Sequence, residues 1–92
     1  NKSLSISTDY DLILLEGELL THVVVESEDS ITFNIGTTAL GTDIYTDTIA
    51  DGYEVISVDQ FANGGNITLY FSGYSPSSVK LHFFIQKAKL YI

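Results

Sequence analysis

The feature that most constrains this chain is an alternation of apolar and polar residues with a period of two. It runs through residues 31–35 (ITFNI), 67–71 (ITLYF) and 79–85 (VKLHFFI). Successive side chains of a β-strand point to opposite faces, so each run predicts a strand with one buried face. Turn-forming sequences such as Asp51-Gly52 and Asn63-Gly64-Gly65-Asn66 separate the runs. The pattern is typical of a sandwich or barrel of short strands.

Applied to the whole chain, this pattern predicts an all-β fold in one domain, residues 1–92. Between residues 11 and 20 the leucines Leu12, Leu15 and Leu19 have helical spacing, but Gly17 and the lack of a cap favour strands there. We expect an antiparallel two-sheet β-sandwich, with jelly-roll connectivity ahead of immunoglobulin-like connectivity. The predicted strands are residues 2–8, 11–15, 19–27, 31–36, 43–46, 53–59, 66–72 and 79–91.

The inward faces of these strands predict the core, and segments that are apolar on both faces predict contacts between chains. The predicted core is Val23, Val25, Ile31, Phe33, Ile35, Val55, Ile67, Leu69, Phe71, Leu81, Phe83 and Ile85. In the last strand the apolar side changes near Gln86, which predicts a bulge, a bend or a second surface covered by a partner. The residues expected in an oligomer interface are Leu12, Leu14, Leu90 and Ile92.

Composition excludes several classes of partner and site. Twelve acidic residues against four lysines give a formal charge of −8, which disfavours nucleic acids and anionic membrane surfaces. The chain has no cysteine, so it has neither disulfides nor Cys-based metal sites. No apolar run approaches the roughly 20 residues of a membrane-spanning helix. Because the sequence starts at Asn1, we expect a processed product or a module of a longer protein.

No catalytic motif is evident, so the sequence predicts a protein that is not an enzyme. The segment Gly73-Tyr74-Ser75-Pro76 lacks the second glycine of a nucleophile elbow. The two histidines, His22 and His82, occupy polar-facing strand positions, where a solvated or cross-strand-paired imidazole is the ordinary outcome. Two isolated histidines also make a poor zinc site.

Two candidate binding sites remain, each with a structural alternative. No cofactor is expected beyond a weak Ca²⁺ ion at Asp43, Asp47 and Asp51, whose carboxylates lie in one hydroxyl-rich segment; the alternative is a solvated acidic face. Amphipathic tyrosines beside amide side chains suit a glycan, although the same tyrosines also suit the rim of a sandwich core. The candidate glycan residues are Tyr45, Tyr53, Tyr74, Asn63 and Asn66.

Residues 32–71 resemble a pattern of tailed-bacteriophage virion proteins. The matching pieces are residues 35–44 (IGTTALGTDI) and 66–71 (NITLYF), and residues 77–85 (SSVKLHFFI) resemble the final strand of the same modules. The resemblance implies a β-sandwich module of a virion appendage, such as a tail or head fibre, tip or decoration protein. Such modules often form homotrimers, and no catalytic residue carries over. Residues 9–20 match no part of the pattern.

The function implied is structural and non-enzymatic. We expect copies of the module to assemble symmetrically, as a homotrimer, beside other proteins of the virion. Their loops would then contact a glycan or protein of the host surface, with repetition adding avidity. The alternative is a secreted or cell-surface carbohydrate-binding or adhesin module of a bacterium.

Overall fold

The computed structural model describes residues 2–87, and these residues form eight β-strands with no helix among them. The prediction of an all-β fold is confirmed. The strands are β1 Lys2–Ile6, β2 Tyr10–Leu14, β3 Glu18–Ser27, β4 Ile31–Gly36, β5 Tyr45–Ile49, β6 Gly52–Phe61, β7 Ile67–Ser72 and β8 Val79–Lys87. No helix in the described part of the chain is long and apolar enough to cross a membrane.

Within residues 2–87 the predicted strands agree with the observed ones to within a few residues, and two segments show why. Residues 88–91 of the last predicted strand lie outside the described residues. Between residues 11 and 20 the chain makes two strands because Gly17, with a φ of +89°, allows a tight turn between them. The fifth strand was predicted at 43–46 and is found at Tyr45–Ile49. The difference arises because Asp43 is occupied by hydrogen bonds to Thr37 within the preceding loop.

The eight strands form two four-stranded antiparallel sheets. Sheet 1 has the order β1-β8-β3-β6 and sheet 2 has the order β2-β7-β4-β5. Strand β1 thus pairs with β8, β2 with β7, β3 with β6 and β4 with β5, so the first half of the chain is matched against the second half in reverse order. This nested pairing is the connectivity of a jelly roll.

The core lies between the inward faces of the two sheets and is rich in aromatic contacts. Phe71 packs edge-on against Phe83 with ring centroids 5.3 Å apart, which joins sheet 2 to sheet 1. The buried apolar side chains are Leu12, Leu14, Leu20, Val23, Val25, Ile31, Phe33, Ile35, Ile49, Ile56, Val58, Ala62, Leu69, Phe71, Tyr74, Val79, Leu81 and Phe83. Ile67 and Ile85 are half-buried against this cluster.

Three residues take positions opposite to those predicted. Val55 was placed in the core but is 56% exposed, because Ile56 and Val58 supply the inward face of β6. Leu12 and Leu14 were expected in an oligomer interface, but they are buried within the chain. The outward residues of the same segment are Ile13 and Leu15, which are 59% and 51% exposed.

A line of bulges crosses sheet 1 at the level of Thr21. From Leu20 to His22, β3 advances by two residues. Over the same stretch β8 advances by only one residue, from Ile85 to Phe84, whereas β6 advances by three, from Gln60 to Ser57. The additional residue of β6 lies at Asp59, whose φ is +52°. Because each bulge adds a residue to one strand only, the sheet bends and its twist increases there.

The connecting segments fall into two groups at opposite ends of the sandwich. The first group, at what is here called the groove end, consists of residues 7–9, 28–30, 50–51 and 73–78. The second group consists of residues 15–17, 37–44 and 62–66. Strand β1 runs towards the groove end and β8 runs away from it, so the first and last described residues, Lys2 and Lys87, both point away from that end.

Candidate functional site

A concavity of about 910 Å³ opens at the groove end and is called the end groove below. Its floor is a row of four side chains, one from each strand of sheet 1. The register places Ser5 beside Lys80, Lys80 beside Glu26 and Glu26 beside Tyr53. The connecting segments of the groove end form its walls, with Glu28, Asp29, Asp51, Pro76, Ser77 and Ser78 among the lining residues.

The end groove combines an aromatic ring with many oxygen atoms. Tyr53 is 72% exposed, so its ring face is open to a ligand. Four of the chain's twelve carboxylates line the groove, at Glu26, Glu28, Asp29 and Asp51, against the single ammonium of Lys80. These groups, with the serine hydroxyls, supply the stacking surface and the hydrogen-bonding partners that a polyhydroxylated ligand requires.

One wall of the groove is fixed by a buried serine. The Ser27 hydroxyl, 6% exposed, donates a hydrogen bond to the Asp29 carbonyl oxygen at 2.8 Å. It also accepts one from the Asp29 backbone N–H at 3.1 Å. These bonds hold the turn between β3 and β4 in one conformation, so Glu28 and Asp29 are presented from a defined loop.

Beside the end groove, three polar side chains form a hydrogen-bonded chain across β1, β8 and β3, called the polar relay below. The Ser3 hydroxyl lies 2.8 Å from Nδ1 of His82, and Nε2 of His82 lies 2.5 Å from the Glu26 carboxylate. His82 is therefore paired across strands, which is one of the two outcomes that its polar-facing position predicted. Glu26 belongs both to the relay and to the groove floor.

The other histidine has a packing role. The His22 ring stacks on Phe84 with centroids 4.2 Å apart and an interplanar angle of 12°. Its Nδ1 lies 3.0 Å from the Thr21 hydroxyl, which also donates to the Phe84 carbonyl oxygen at 3.0 Å. His22 and its neighbours thus cover the bulged part of sheet 1 from outside.

The five candidate glycan residues are divided between the two ends of the sandwich. Tyr53 lies in the end groove, whereas Tyr45, Asn63 and Asn66 lie at or near the opposite end. Tyr45 packs on Phe33 with centroids 6.4 Å apart. The Asn66 side-chain oxygen accepts a hydrogen bond from the Glu16 backbone N–H at 2.9 Å. The expected grouping of all five around one ligand is therefore not found.

Tyr74, the fifth of these residues, is a core residue and offers no surface to a ligand. It is 1% exposed, and its hydroxyl donates a hydrogen bond to the Thr8 carbonyl oxygen at 2.7 Å. Burial, with a smaller effect of nearby carboxylates, raises the pKa of the Tyr74 hydroxyl and keeps it protonated. This is the core-rim alternative that the sequence allowed for the tyrosines.

The three aspartates predicted to hold Ca²⁺ do not converge. Asp43 lies in the segment before β5, Asp47 within β5, and Asp51 after it in the end groove. At about 3.3 Å per residue, the length of β5 alone separates its two ends by about 13 Å. Within residues 2–87 no group of three metal-ligating side chains forms. A Ca²⁺ ion shared by these aspartates would require a rearrangement of the chain.

Asp43 instead stabilises its own loop. Its carboxylate accepts hydrogen bonds from the Thr37 backbone N–H at 2.9 Å and the Thr37 hydroxyl at 2.7 Å. These bonds favour the ionised form and hold the pKa of Asp43 below its usual value of 3.8. The loop is folded so tightly that a Cβ on Gly36 would lie 2.5 Å from the Gly41 backbone.

The polar relay is the arrangement that sequence reasoning missed. Ser3, Glu26 and His82 come from distant parts of the chain, and only the pairing of β1 and β3 with β8 brings them together.

Of the predicted interface residues, Leu90 and Ile92 lie outside the described residues. No family model, curated protein or solved structure matches the chain.

Proposed function

We propose that this chain is a non-enzymatic structural and attachment module of a phage virion appendage. Its copies assemble with one another, as a homotrimer, and the end groove contacts a glycan or protein of the host surface. The observation that carries the proposal is the end groove, which places an exposed tyrosine ring among carboxylates and hydroxyls at one end of a rigid sandwich. The location that follows is the virion.

Three further observations support the proposal. The motifs at residues 35–44 and 66–71 resemble those of phage virion proteins. Jelly rolls are used by viral capsid and lectin domains, and the strand order here is of that kind. The walls of the groove are loops carried on a packed scaffold, the arrangement in which binding residues are usually found.

The alternative is a secreted bacterial carbohydrate-binding or adhesin module, and the end groove favours it equally. The two functions differ in assembly and ligand. A trimer that binds surface glycans of intact bacteria supports the virion module. A monomer that binds a soluble plant or microbial polysaccharide supports the alternative. Light scattering, combined with a glycan array, separates them.

The groove is tested with two substitutions on the same strand. Tyr53 and Val55 both face outward from β6 and are 72% and 56% exposed, but only Tyr53 lines the groove. Loss of a stacked aromatic ring costs a carbohydrate complex about 1–3 kcal/mol, by analogy with other stacked rings. We expect Tyr53→Ala to weaken glycan binding by at least about fivefold and Val55→Ala to leave it unchanged. Equal effects of the two substitutions would place the binding site elsewhere.

A further inference from the structure

The polar relay has the order of groups found around activated serines: a hydroxyl, an imidazole and a carboxylate, each hydrogen-bonded to the next. Ser3 Oγ lies 2.8 Å from His82 Nδ1, within the range required of a nucleophile and its base. We propose that Ser3 is an activated nucleophile that accepts an acyl group from an activated ester. In this proposal His82 is the general base and Glu26 is a positioning residue.

The proton arrangement follows from the two partners of the imidazole. A carboxylate only accepts hydrogen bonds, so the tautomer of His82 that matches this contact carries its proton on Nε2 and donates it to Glu26. Nδ1 is then the free acceptor and faces the Ser3 hydroxyl. This tautomer is assigned from the hydrogen-bond network, in which it satisfies all three groups.

The step that this arrangement supports is an acyl transfer from an ester to Ser3. Ser3 Oγ attacks the ester carbonyl carbon and forms a new C–O bond while its proton moves to Nδ1 of His82. The tetrahedral intermediate then breaks the bond to the leaving alcohol oxygen, which takes the proton back from Nδ1. The products are O-acyl Ser3 and the free alcohol, and Glu26 stabilises the imidazolium formed between the two proton transfers.

Access to Ser3 is open. Ser3 is exposed on the outer face of β1, and β1 has a neighbouring strand on one side only within residues 2–87. Alternate backbone N–H groups of such an edge strand are free to donate a hydrogen bond to the carbonyl oxygen of an ester. Glu26 also lines the end groove, so an ester bound there would lie beside the relay.

Ser5 provides a control within the same molecule. It lies two residues further along β1 and is exposed on the same face, about 7 Å away along the strand. Its cross-strand neighbour is Lys80, whereas that of Ser3 is His82. The two serines therefore share the strand and its outer face, but only Ser3 has an imidazole within hydrogen-bond distance of its hydroxyl among the described contacts.

The test is acetylation of the intact chain by p-nitrophenyl acetate, with the modified residues and their rates identified by mass spectrometry. General-base assistance accelerates such reactions by about 100-fold or more. We expect Ser3 to be acetylated about 100 times faster than Ser5 in the unmodified protein. Equal rates at the two serines would overturn the proposal without any variant being made.

Two variants test the roles proposed for His82 and Glu26 in the acetylation of Ser3. His82→Gln should reduce the Ser3 rate to that of Ser5, and Glu26→Gln should reduce it less, with the Ser5 rate unchanged in both. Damage to the fold would alter both serines together, so the ratio of the two rates separates chemistry from stability. A Ser3 rate that His82→Gln leaves unchanged would show that the relay is only a structural contact between strands.

Discussion

Two tyrosines show that the position of a side chain in this fold decides whether it is exposed or buried. Tyr53 is 72% exposed at the groove rim, whereas Tyr74 is 1% exposed in the core. Tyr74 stacks near Phe33 at 5.8 Å and fills the groove end of the sandwich from inside. Its inward direction depends on Gly73, which precedes it with a φ of +92°.

Substitution of Gly73 is therefore predicted to destabilise the protein by more than the strain of its positive φ alone. A Cβ there would lie 2.7 Å from the Thr32 carbonyl oxygen, whereas one on Gly64, with a φ of +77°, would meet nothing within 4 Å. Both substitutions to alanine strain the backbone, but only Gly73→Ala adds a clash. We expect Gly73→Ala to lower the free energy of unfolding by about 1–3 kcal/mol more than Gly64→Ala does. Urea unfolding of the two variants measures the difference, and equal losses would contradict the prediction.

The bulged part of sheet 1 is the element that most shapes the outer face of the sandwich. Strand β6 carries one more residue than β3 across this region, and the additional residue lies at Asp59. A φ of +52° is tolerated by aspartate better than by most side chains, and it is least tolerated by β-branched ones. The residue at position 59 must therefore adopt a positive φ, which an ordinary strand position does not require.

A valine placed at two positions of β6 tests this requirement. Ser57 lies opposite His22 in regular pairing, whereas Asp59 lies in the bulge. We expect Asp59→Val to destabilise the protein by about 1–3 kcal/mol, because valine is strained at positive φ. Ser57→Val should be neutral or slightly stabilising, because valine suits an ordinary strand. Thermal unfolding of both variants checks the prediction, which a harmless Asp59→Val would contradict.

The same elements show how far the sequence predicts the structure. Alternation located the strands and most of the core, because a one-residue shift would expose a whole apolar face. It failed at Val55, since β6 has apolar residues on both faces there and local pattern does not select one. The polar relay and the end groove depend on which strands become neighbours. Which strands become neighbours is decided by long-range packing, so the sequence alone identified only single residues of these sites, such as Tyr53.

At the scale of the whole molecule, the sandwich is elongated, with extents of 48 × 22 × 18 Å. Strand β2 is an edge strand of sheet 2 and exposes Ile13 on its outer face, and Leu15, the residue after the strand, is exposed as well. An exposed apolar edge strand is a template for association with another chain. The self-assembly that we propose therefore has a candidate surface at β2, displaced by one residue from the predicted Leu12 and Leu14.

Charge substitutions test this surface. Ile13 and Val55 are similarly exposed, at 59% and 56%, on edge strands of different sheets. We expect Ile13→Lys to release monomers, because a buried lysine at the interface would be costly to desolvate, and Val55→Lys to leave the assembly intact. Light scattering measures the mass of each. An unchanged mass for Ile13→Lys, or a monomeric unmodified protein, would count against assembly through β2.

The directions of β1 and β8 determine how the molecule sits on a support. Both described ends of the chain point away from the groove end, and β8 alone carries the chain about 26 Å back from it. A bead, sensor chip or larger particle joined at Lys2 or Lys87 would hold the end groove facing the solution. Immobilised copies would then present their grooves in parallel, so even a weak ligand can be measured by its multivalent retention.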